Sequence, residues 1–323
     1  MIIISKILKW LGLFLFLFLL VISTLVFLKK DRTFDAPYPK IHAVKDSLVI
    51  ERGKSLVYGA AHCAYCHAPA EMVEAIERGE IVPLSGGHIF DIPPAKMITP
   101  NITSDKETGI GSWPDSVIAR SMRHMVGYDG RALLEFMPFQ NLCDSDLTAI
   151  ISYLRTVEPI RNEVPKSEWN LLGNILKAFV ITPVGPSEEI QVVIKPDSTV
   201  EYGKYLAQSV ANCRGCHTDR DMKTGEYVGP FYAGGFKMPS EINPELLLVS
   251  PNITTDPTTG RLANWTEQDF IQRFRKGKII KESVMPWGQY LNLSDLELKA
   301  IYRYLQSIPP IANNTGPVLI SAK

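Results

Sequence analysis

The stretches Cys63-Ala64-Tyr65-Cys66-His67 and Cys213-Arg214-Gly215-Cys216-His217 decide how the rest of this 323-residue chain is interpreted. Each has the Cys-x-x-Cys-His spacing that attaches a c-type haem, in which two thiols bond to the vinyl groups and the histidine reaches the iron. One copy alone would leave open a redox or zinc Cys-x-x-Cys that happens to precede a histidine. Two copies in a chain with 5 cysteines favour haem. We therefore predict two covalently attached c-type haems (iron), bound by Cys63, Cys66, His67, Cys213, Cys216 and His217.

The fifth cysteine, Cys143, lies outside both motifs. A lone cysteine is more often a small buried hydrophobe than a reactive thiol, and we favour that interpretation. Hydrophobic residues make up 46% of the chain and charged residues 21%, which is typical of globular domains. The zero net charge combines a basic segment 1–32 with a mildly acidic remainder, so nothing in the charge predicts nucleic-acid binding.

An apolar run from Trp10 to Leu28 is long enough to cross a bilayer, which takes roughly 20 residues in a helix. The alternative is a cleaved signal peptide, whose apolar region is shorter and ends at small residues. This run ends in Phe27-Leu28-Lys29-Lys30 without small residues, so an uncleaved anchor over 1–32 is predicted, followed by a proline-containing stalk over 33–45. The basic residues on the two sides nearly balance and do not decide the orientation.

Beyond the stalk, the chain repeats itself at an offset of roughly 150 residues, and such repetition reveals a duplicated unit. The motifs and the order of the features around them are both kept. The matched features are Gly53-Lys54 with Gly203-Lys204, Asn101-Ile102-Thr103 with Asn252-Ile253-Thr254, Trp113 with Trp265, Met137-Pro138-Phe139 with Met285-Pro286-Trp287, and Tyr153-Leu154 with Tyr304-Leu305. We predict one domain over 46–160, a connector over 161–197 and a second domain with a C-terminal tail over 198–323.

Each predicted domain begins and ends with a helix. Helices are expected over 47–61 and 198–211, leading into the motifs, and again from Asp144 and from Ser294, where capping residues precede apolar residues at helical spacing. The middle of each domain is rich in Gly, Pro, Asn and Thr and has little of the alternation that indicates strands. A mostly α architecture is predicted, preceded by one transmembrane helix.

The connector contains an apolar series at helical spacing between Pro165 and Pro183. Its members are Trp169, Leu172, Ile175, Leu176 and Phe179. We favour a linker helix whose apolar face packs across both domains. The alternative is a docking face for a membrane or a partner subunit. Burial of Leu172 and Phe179 would exclude that alternative.

Each iron needs a second axial ligand or an open site, and Met137 and Met285 are the candidate ligands. They lie 70 and 68 residues after His67 and His217, in a Met-Pro-aromatic loop before the last helix of each domain, where proline restricts the backbone. The alternative is that both methionines fill the core. We predict metal ligation by His67, Met137, His217 and Met285.

The remaining histidines are weaker candidates. His88 and His124 have no histidine counterpart in the second repeat, and His62 is matched by Asn212, so none of the three is assigned a role. Methionine opposite histidine raises the reduction potential and fills the sixth coordination position, which indicates electron transfer and no catalytic residue.

Two further pairs recur in both repeats. We hypothesise that the indole N–H groups of Trp113 and Trp265 reach haem propionates, because a buried tryptophan usually finds a hydrogen-bond partner. The Asn-Ile-Thr triplets at Asn101 and Asn252 match the N-glycosylation acceptor pattern. Their equivalent placement in the two repeats favours a structural role instead.

With these motifs, the chain from about 46 to 312 resembles the membrane-anchored cytochrome c subunits of bacterial alcohol, aldehyde and gluconate dehydrogenases. The resemblance implies tandem class I cytochrome c domains, His/Met haems, haem attachment outside the cytoplasm and electron transfer toward a respiratory chain. It implies a single-pass protein of the bacterial inner membrane with its haem domains in the periplasm. The chain has two haem motifs where the three-haem subunits have three.

The leading expectation is therefore an electron carrier, not an enzyme in its own right. It would be tethered to the membrane by its N-terminal helix and would pass electrons between a dehydrogenase or quinol-oxidising complex and a downstream cytochrome or oxidase. The alternative is a dihaem oxidoreductase such as a peroxidase, which requires one haem open to substrate. A haem-based sensor would be expected to carry a signalling domain, and none is visible in the sequence.

Overall fold

The computed structural model describes residues 2–221 and 224–322 and is mostly helical. The α-helices are α1 (Ile2–Lys29), α2 (Ser47–Tyr58), α3 (Cys63–His67), α4 (Val73–Glu77), α5 (Asp115–His124), α6 (Asp144–Leu154), α7 (Leu171–Phe179), α8 (Val200–Tyr205), α9 (Cys213–Cys216), α10 (Glu267–Arg275), α11 (Trp287–Tyr290) and α12 (Asp295–Ser307). The strands are β1 (Ile89–Ile92), β2 (Ala95–Ile98), β3 (Glu168–Trp169), β4 (Lys237–Pro239), β5 (Leu246–Val249) and β6 (Leu319–Ser321). A 3₁₀ turn over Ala70–Met72 precedes α4, and a π-helical turn over Leu206–Val210 continues α8.

Helix α1 carries the long apolar run of the sequence. Over Ile4–Lys29 it is long and apolar enough to cross a membrane, judged by length and composition. Its side chains are exposed along most of its length, whereas Val26 near its end is buried. The last turns of α1 therefore lie against the rest of the protein.

A pair of crossing helices frames each half of the molecule: α2 crosses α6, and α8 crosses α12. Glycines at the crossings allow the backbones to touch, because a Cβ on Gly53 would overlap the carbonyl oxygen of Ala149 and one on Gly203 would overlap that of Ala300. Asp46 caps α2, and Ser294 forms a capping box at α12. These predicted helices are confirmed, with α2 ending three residues early and the predicted helix over 198–211 divided into α8 and the π turn.

Two small antiparallel sheets occupy regions where the sequence showed no strand pattern, so that expectation is wrong. One sheet has the order β1-β2-β3 and the other β4-β5-β6. In each sheet one of the two outer strands comes from the chain that follows the last helix of its half: Glu168 and Trp169 of β3 pair with β2, and Leu319 of β6 pairs with Leu248 of β5. Strands of two to four residues are too short to show alternation, and their pairing depends on tertiary structure.

One continuous core of buried residues draws on both halves, and polar contacts reinforce it where the halves meet. The guanidinium of Arg52 donates to Asp146 at 2.9 Å and to Glu297 at 2.8 Å, and both carboxylates are buried. Tyr205 donates to Asp146 at 2.8 Å. Cys143 is buried, with its Sγ 3.3 Å from the Tyr205 hydroxyl, which confirms it as a small core residue.

Helix α7, in the connector, packs against α1 and β3, so the expectation that it bridges the two domains is wrong. A Cβ on Gly173 would overlap the carbonyl oxygen of Pro94, which shows how closely α7 approaches the end of the β1–β2 turn. Leu172 is 50% exposed and Phe179 42% exposed. Because neither side chain is buried, the docking alternative remains open.

Candidate haem sites

Both haem motifs fold into a single helical turn that starts from the same unusual backbone. The residue before the first cysteine is left-handed in each case, with φ of 40° at His62 and 51° at Asn212. The turn brings the two cysteines and the histidine to one place, because residues three and four apart share a helix face. The two halves therefore present the same five-residue geometry.

The histidine of each motif is fixed by a proline carbonyl. The Nδ1 atom of His67 lies 2.9 Å from the carbonyl oxygen of Pro100, and that of His217 lies 3.0 Å from Pro251 O. Since a carbonyl only accepts, Nδ1 must carry the proton and donate it. This leaves Nε2 as the lone-pair atom that binds a metal, in the arrangement usual for metal-ligating histidines.

A Gly-Gly pair holds each histidine against its proline. The N–H of Gly86 donates to His67 O and that of Gly234 to His217 O, both at 2.8 Å. Their φ values of 74° and 71° favour glycine, and a Cβ on Gly86 would overlap the Pro100 backbone as one on Gly234 would overlap Pro251. The match between the two repeats in the sequence did not single out these glycines.

Burial sets the protonation of the motif side chains. It lowers the pKa of His67 and His217, which favours the neutral imidazole that ligates iron. It also raises the pKa of the Cys63, Cys66 and Cys213 thiols to about 12, which disfavours free reactive thiolates. Within 2–221 and 224–322, no group of three or more His, Cys, Asp or Glu side chains is placed to hold a metal ion.

The second motif opens into an apolar cavity of about 1350 Å³, a volume that includes its open mouth. Cys213, Cys216 and His217 line it, and so does Met285. The walls include Phe270, Phe274, Tyr290, Leu293 and Leu305. Two thiols, an imidazole and a thioether in one apolar cavity are the donor set of a covalently attached haem with His/Met ligation, so the residues fit that group.

The methionine loop of the first half resembles that of the second. Met137 packs against the core together with Cys63 and Trp113. Its loop turns as the second loop does, because Phe139 N donates to Met137 O at 2.9 Å and Trp287 N donates to Met285 O at 2.7 Å. The two Met-Pro-aromatic loops therefore begin with the same backbone turn.

The two recurring tryptophans lie in different surroundings. Trp265 lines the cavity of the second motif. Trp113 stacks on Tyr128 with ring centroids 4.8 Å apart. The hypothesis that their N–H groups reach haem propionates remains a prediction.

The Asn-Ile-Thr triplets have a structural role, as the repeat favoured. The side chain of Asn101 donates to Ile160 O at 2.8 Å and accepts from Thr103, and Asn252 donates to Ile311 O at the same distance and accepts from Thr254. Both asparagines are at most 2% exposed, which excludes them as glycan acceptors. Each asparagine therefore connects the loop that contacts the motif histidine to the chain that follows the last helix of its half.

Several residues that the sequence did not single out join the two sites. The ring of His62, before the first motif, contacts Tyr290, a wall of the second cavity, with centroids 5.9 Å apart. Tyr65, inside the first motif, donates to Glu241 of the second half at 3.3 Å. Of the other histidines, His88 packs on Phe90. No repeat pattern could reveal contacts that join one repeat to the other.

Positive charge is concentrated at the second cavity. Arg261 and Arg273 both line it, and within the part of the chain that the structure describes neither forms an ion pair with a carboxylate. The Arg273 guanidinium lies over the ring of Trp287, 3.6 Å from its centroid. Burial, and then repulsion from Arg261, lowers the pKa of Arg273. One signal was available in the sequence: Arg261 is an extra residue between Gly260 and Leu262 that the first repeat lacks.

Residues 50–158 match the family model for cytochrome c. These residues therefore form a cytochrome c domain, which implies a covalently bound c-type haem. The chain is similar to cytochrome subunits of bacterial dehydrogenases. It is 28% identical to the fructose dehydrogenase cytochrome subunit of Gluconobacter japonicus, over 82% of this chain and 54% of that protein. It is 26% identical to the cytochrome c subunit of the quinone-dependent alcohol dehydrogenase of Gluconacetobacter polyoxogenes, over 84% of this chain and 58% of that protein.

A third relative is similar in length. The chain is 26% identical to a diheme cytochrome c-type protein of Cereibacter sphaeroides, over 79% of this chain and 84% of that protein. Against the dehydrogenase subunits, by contrast, the chain spans about half of the relatives' length.

Proposed function

We propose that the protein is a membrane-tethered dihaem c-type cytochrome that passes electrons through two His/Met haems. Residues 46–160 and 198–323 would each form a class I cytochrome c domain, joined by the connector 161–197 and preceded by the anchor 1–32 and the stalk 33–45. The ligands would be His67 with Met137 and His217 with Met285. Bound haem would supply the one-electron ferrous–ferric couple.

The observation that carries the proposal is the equivalence of the two motif sites. The second site has the same histidine–proline hydrogen bond, the same glycine pair and the same left-handed residue before the first cysteine as the first site. The first site lies within the cytochrome c domain. His217 and Met285 also line one cavity. A second copy of this framework without a haem would leave a large apolar cavity exposed, which is unfavourable.

Electron exchange between the two haems is supported by the wall that the sites share. His62 and Tyr290 meet across it, and Tyr65 reaches Glu241. The common core and the buried contacts of Arg52 with Asp146 and Glu297 hold the halves in one arrangement. These contacts would hold the two sites at one separation.

The anchor is supported by how α1 joins the body. Arg32, just beyond α1, donates to Ile181 O at 2.9 Å, and Asp31 pairs with Lys177 at 3.0 Å. Val26 is buried. These contacts give residues 26–32 a place in the folded protein, which a cleaved signal peptide does not have.

We further propose an inner-membrane location with the haem domains in the periplasm. The electron donor would be a dehydrogenase or quinol-oxidising complex, and the acceptor a downstream cytochrome or oxidase. The similarity to cytochrome subunits of fructose and alcohol dehydrogenases supports a dehydrogenase partner. The alternative, a dihaem peroxidase, is disfavoured because each half has a methionine in the equivalent loop, and ligation by that methionine would leave no open position on the iron.

The test is the haem content and ligation of the purified protein. We expect two haems per chain and a thioether-to-iron absorption band from both. Met137→Ala and Met285→Ala should each remove half of that band and lower one potential by on the order of 0.1 V, a modest part of the roughly 0.8 V range over which axial ligands set potentials.

Met97→Leu serves as the control, since Met97 lies in β2 at the position that Leu248 takes in the second repeat, so the variant removes a thioether without opening the apolar wall. It should leave the band and both potentials unchanged. One haem per chain would refute the dihaem proposal. A ligand-accessible iron in the parent protein would favour the peroxidase instead.

A further inference from the structure

The connector leaves a row of apolar side chains exposed around α7. Leu171 is 75% exposed, and Leu172, Phe179 and Val180 are all among the exposed large hydrophobic residues. Gly173 and Ala178, on the other side of the helix, are buried. Helix α7 is therefore amphipathic, and the face that it turns away from the protein is its apolar one, the reverse of an ordinary surface helix.

The exposed apolar face of α7 lies next to the end of α1. The two helices are in contact, and the Lys29 ammonium lies over the Phe179 ring, 5.8 Å from its centroid. The apolar run of α1 ends at Leu28 and is followed by Lys29. Helix α7 therefore lies beside the end of the membrane-spanning stretch, at the level where hydrocarbon gives way to headgroups.

Charged and aromatic residues around α7 suit that level. Lys177 pairs with Asp31 at 3.0 Å and lies over the Trp169 ring at 5.5 Å. Lys29, Lys30 and Arg32 follow the span directly. Basic residues that flank an exposed apolar face, with a nearby tryptophan, are typical of helices that lie in the interface of an anionic bilayer.

We propose that α7 and Val180 form a second membrane contact, embedded in the same bilayer that α1 crosses. The inference rests on the proposed anchor and goes beyond it. Because α1 packs against the body, a single span would still let the two tilt and rotate together in the bilayer. A second contact, joined to the body through β3 and Gly173, would fix which surface of the haem body faces the membrane.

The experiment measures the depth of spin labels on the full-length holoprotein in phosphatidylethanolamine–phosphatidylglycerol vesicles. Leu172→Cys and Val180→Cys carry the labels, and Val228→Cys is the control, since Val228 is 64% exposed in the second half. The motif cysteines would be bonded to haem, and Cys143 is buried, so the introduced thiol takes the label. Relaxation enhancement by oxygen, which partitions into lipid, is compared with that by a water-soluble nickel chelate.

We expect the oxygen-to-nickel ratio to be severalfold higher at residues 172 and 180 than at residue 228. Three equal, water-like ratios would overturn the inference. Labels on α7 that are shielded from both reagents would also overturn it, by showing that a second copy of the chain covers the helix. An unchanged haem spectrum establishes that each labelled variant is folded.

The intact mass separates this inference from the anchor on which it rests. A full-length chain with water-facing labels on α7 contradicts only the second contact. A chain that has lost residues 1–32 contradicts the anchor. In that chain, lipid-embedded labels would still support α7 as a membrane contact, and water-facing labels would contradict both.

Discussion

The two halves of the molecule share a backbone framework but differ in the charges around their haem motifs. In both, a glycine at the helix crossing, a proline carbonyl on the histidine and a glycine pair recur with closely similar geometry. These features fix the position of each motif histidine and of the helices that pack around it. Because the two halves share these features, the duplicated part of the structure is the part that surrounds and positions each motif.

The charges differ because they lie at positions that the framework leaves free. Arg261 and Arg273 line the second cavity, and Arg214 lies inside the second motif, where the first repeat has Ala64. The first motif instead faces a carboxylate: Glu241 adds to the effect of burial in raising the pKa of Cys66. Positive charge stabilises the ferrous over the ferric state, so we expect the haem at His217 to have the higher potential.

The largest effects should come from the shared framework. Gly53→Ala and Gly203→Ala would each push a Cβ into a carbonyl oxygen of the crossing helix and force the helices apart. We expect each to lower the free energy of unfolding by about 3 kcal/mol, at the upper end of overpacking costs. Denaturant titration followed by circular dichroism measures this.

Gly185→Ala is the matched control, since Gly185 is exposed and its added Cβ would come no closer than 3.4 Å to His124 Nδ1. It should change stability by no more than a few tenths of a kcal/mol. If Gly203→Ala were tolerated while Gly53→Ala was not, the second crossing would be looser than the first and the framework would not be equivalent.

A second prediction sharpens the difference in charge. Arg261→Leu removes a guanidinium that faces the second cavity, and leucine suits the apolar wall. We expect the equilibrium for reduction of the His217 haem to weaken about tenfold, which is about 59 mV for a one-electron step, with the other potential nearly constant. Spectroelectrochemical titration measures both potentials, and the Met137→Ala background identifies the haem that retains its methionine.

The control for this prediction is Arg161→Leu, which removes a guanidinium paired with Glu107 on the surface of the first half. It should leave both potentials in place, because exposed charges are screened by solvent and salt. A fall of the His67 potential in Arg261→Leu, or equal potentials in the parent protein, would contradict the assignment of the higher potential to the second site.

Local patterns in the sequence predicted the framework well. The haem motifs, the helices α6 and α12 and the Met-Pro-aromatic loops all depend on residues a few positions apart, so the sequence spacing is enough to predict them. The start of α6 at Asp144 is confirmed, but its N-cap residue is Cys143, which makes no side-chain capping bond, whereas Ser294 caps α12 as predicted. The duplication added the asparagines at 101 and 252, whose buried hydrogen bonds explain why both copies keep them.

The features that the sequence did not predict depend on contacts between segments that are far apart in the chain. The strands β3 and β6 are two and three residues long and exist because chain after the last helix returns to a hairpin. Glu241 reaches Tyr65 from 176 residues away. The packing of α7 on α1 is likewise tertiary: helical spacing predicted the apolar face of α7 but not that this face stays exposed.

The smallest effect should come from that distant carboxylate. Glu241→Gln removes a negative charge near Cys66, so the potential of the His67 haem should rise. Because Glu241 is exposed, we expect a rise of about 40 mV or less, since exposed charge interactions are worth roughly 1 kcal/mol or less. The rise should shrink at high salt, as screening predicts. Glu245→Gln, on the same exposed segment, is the control and should shift neither potential. A fall in the His67 potential, or a shift confined to the His217 haem, would show that the carboxylate of Glu241 does not set the difference between the two sites.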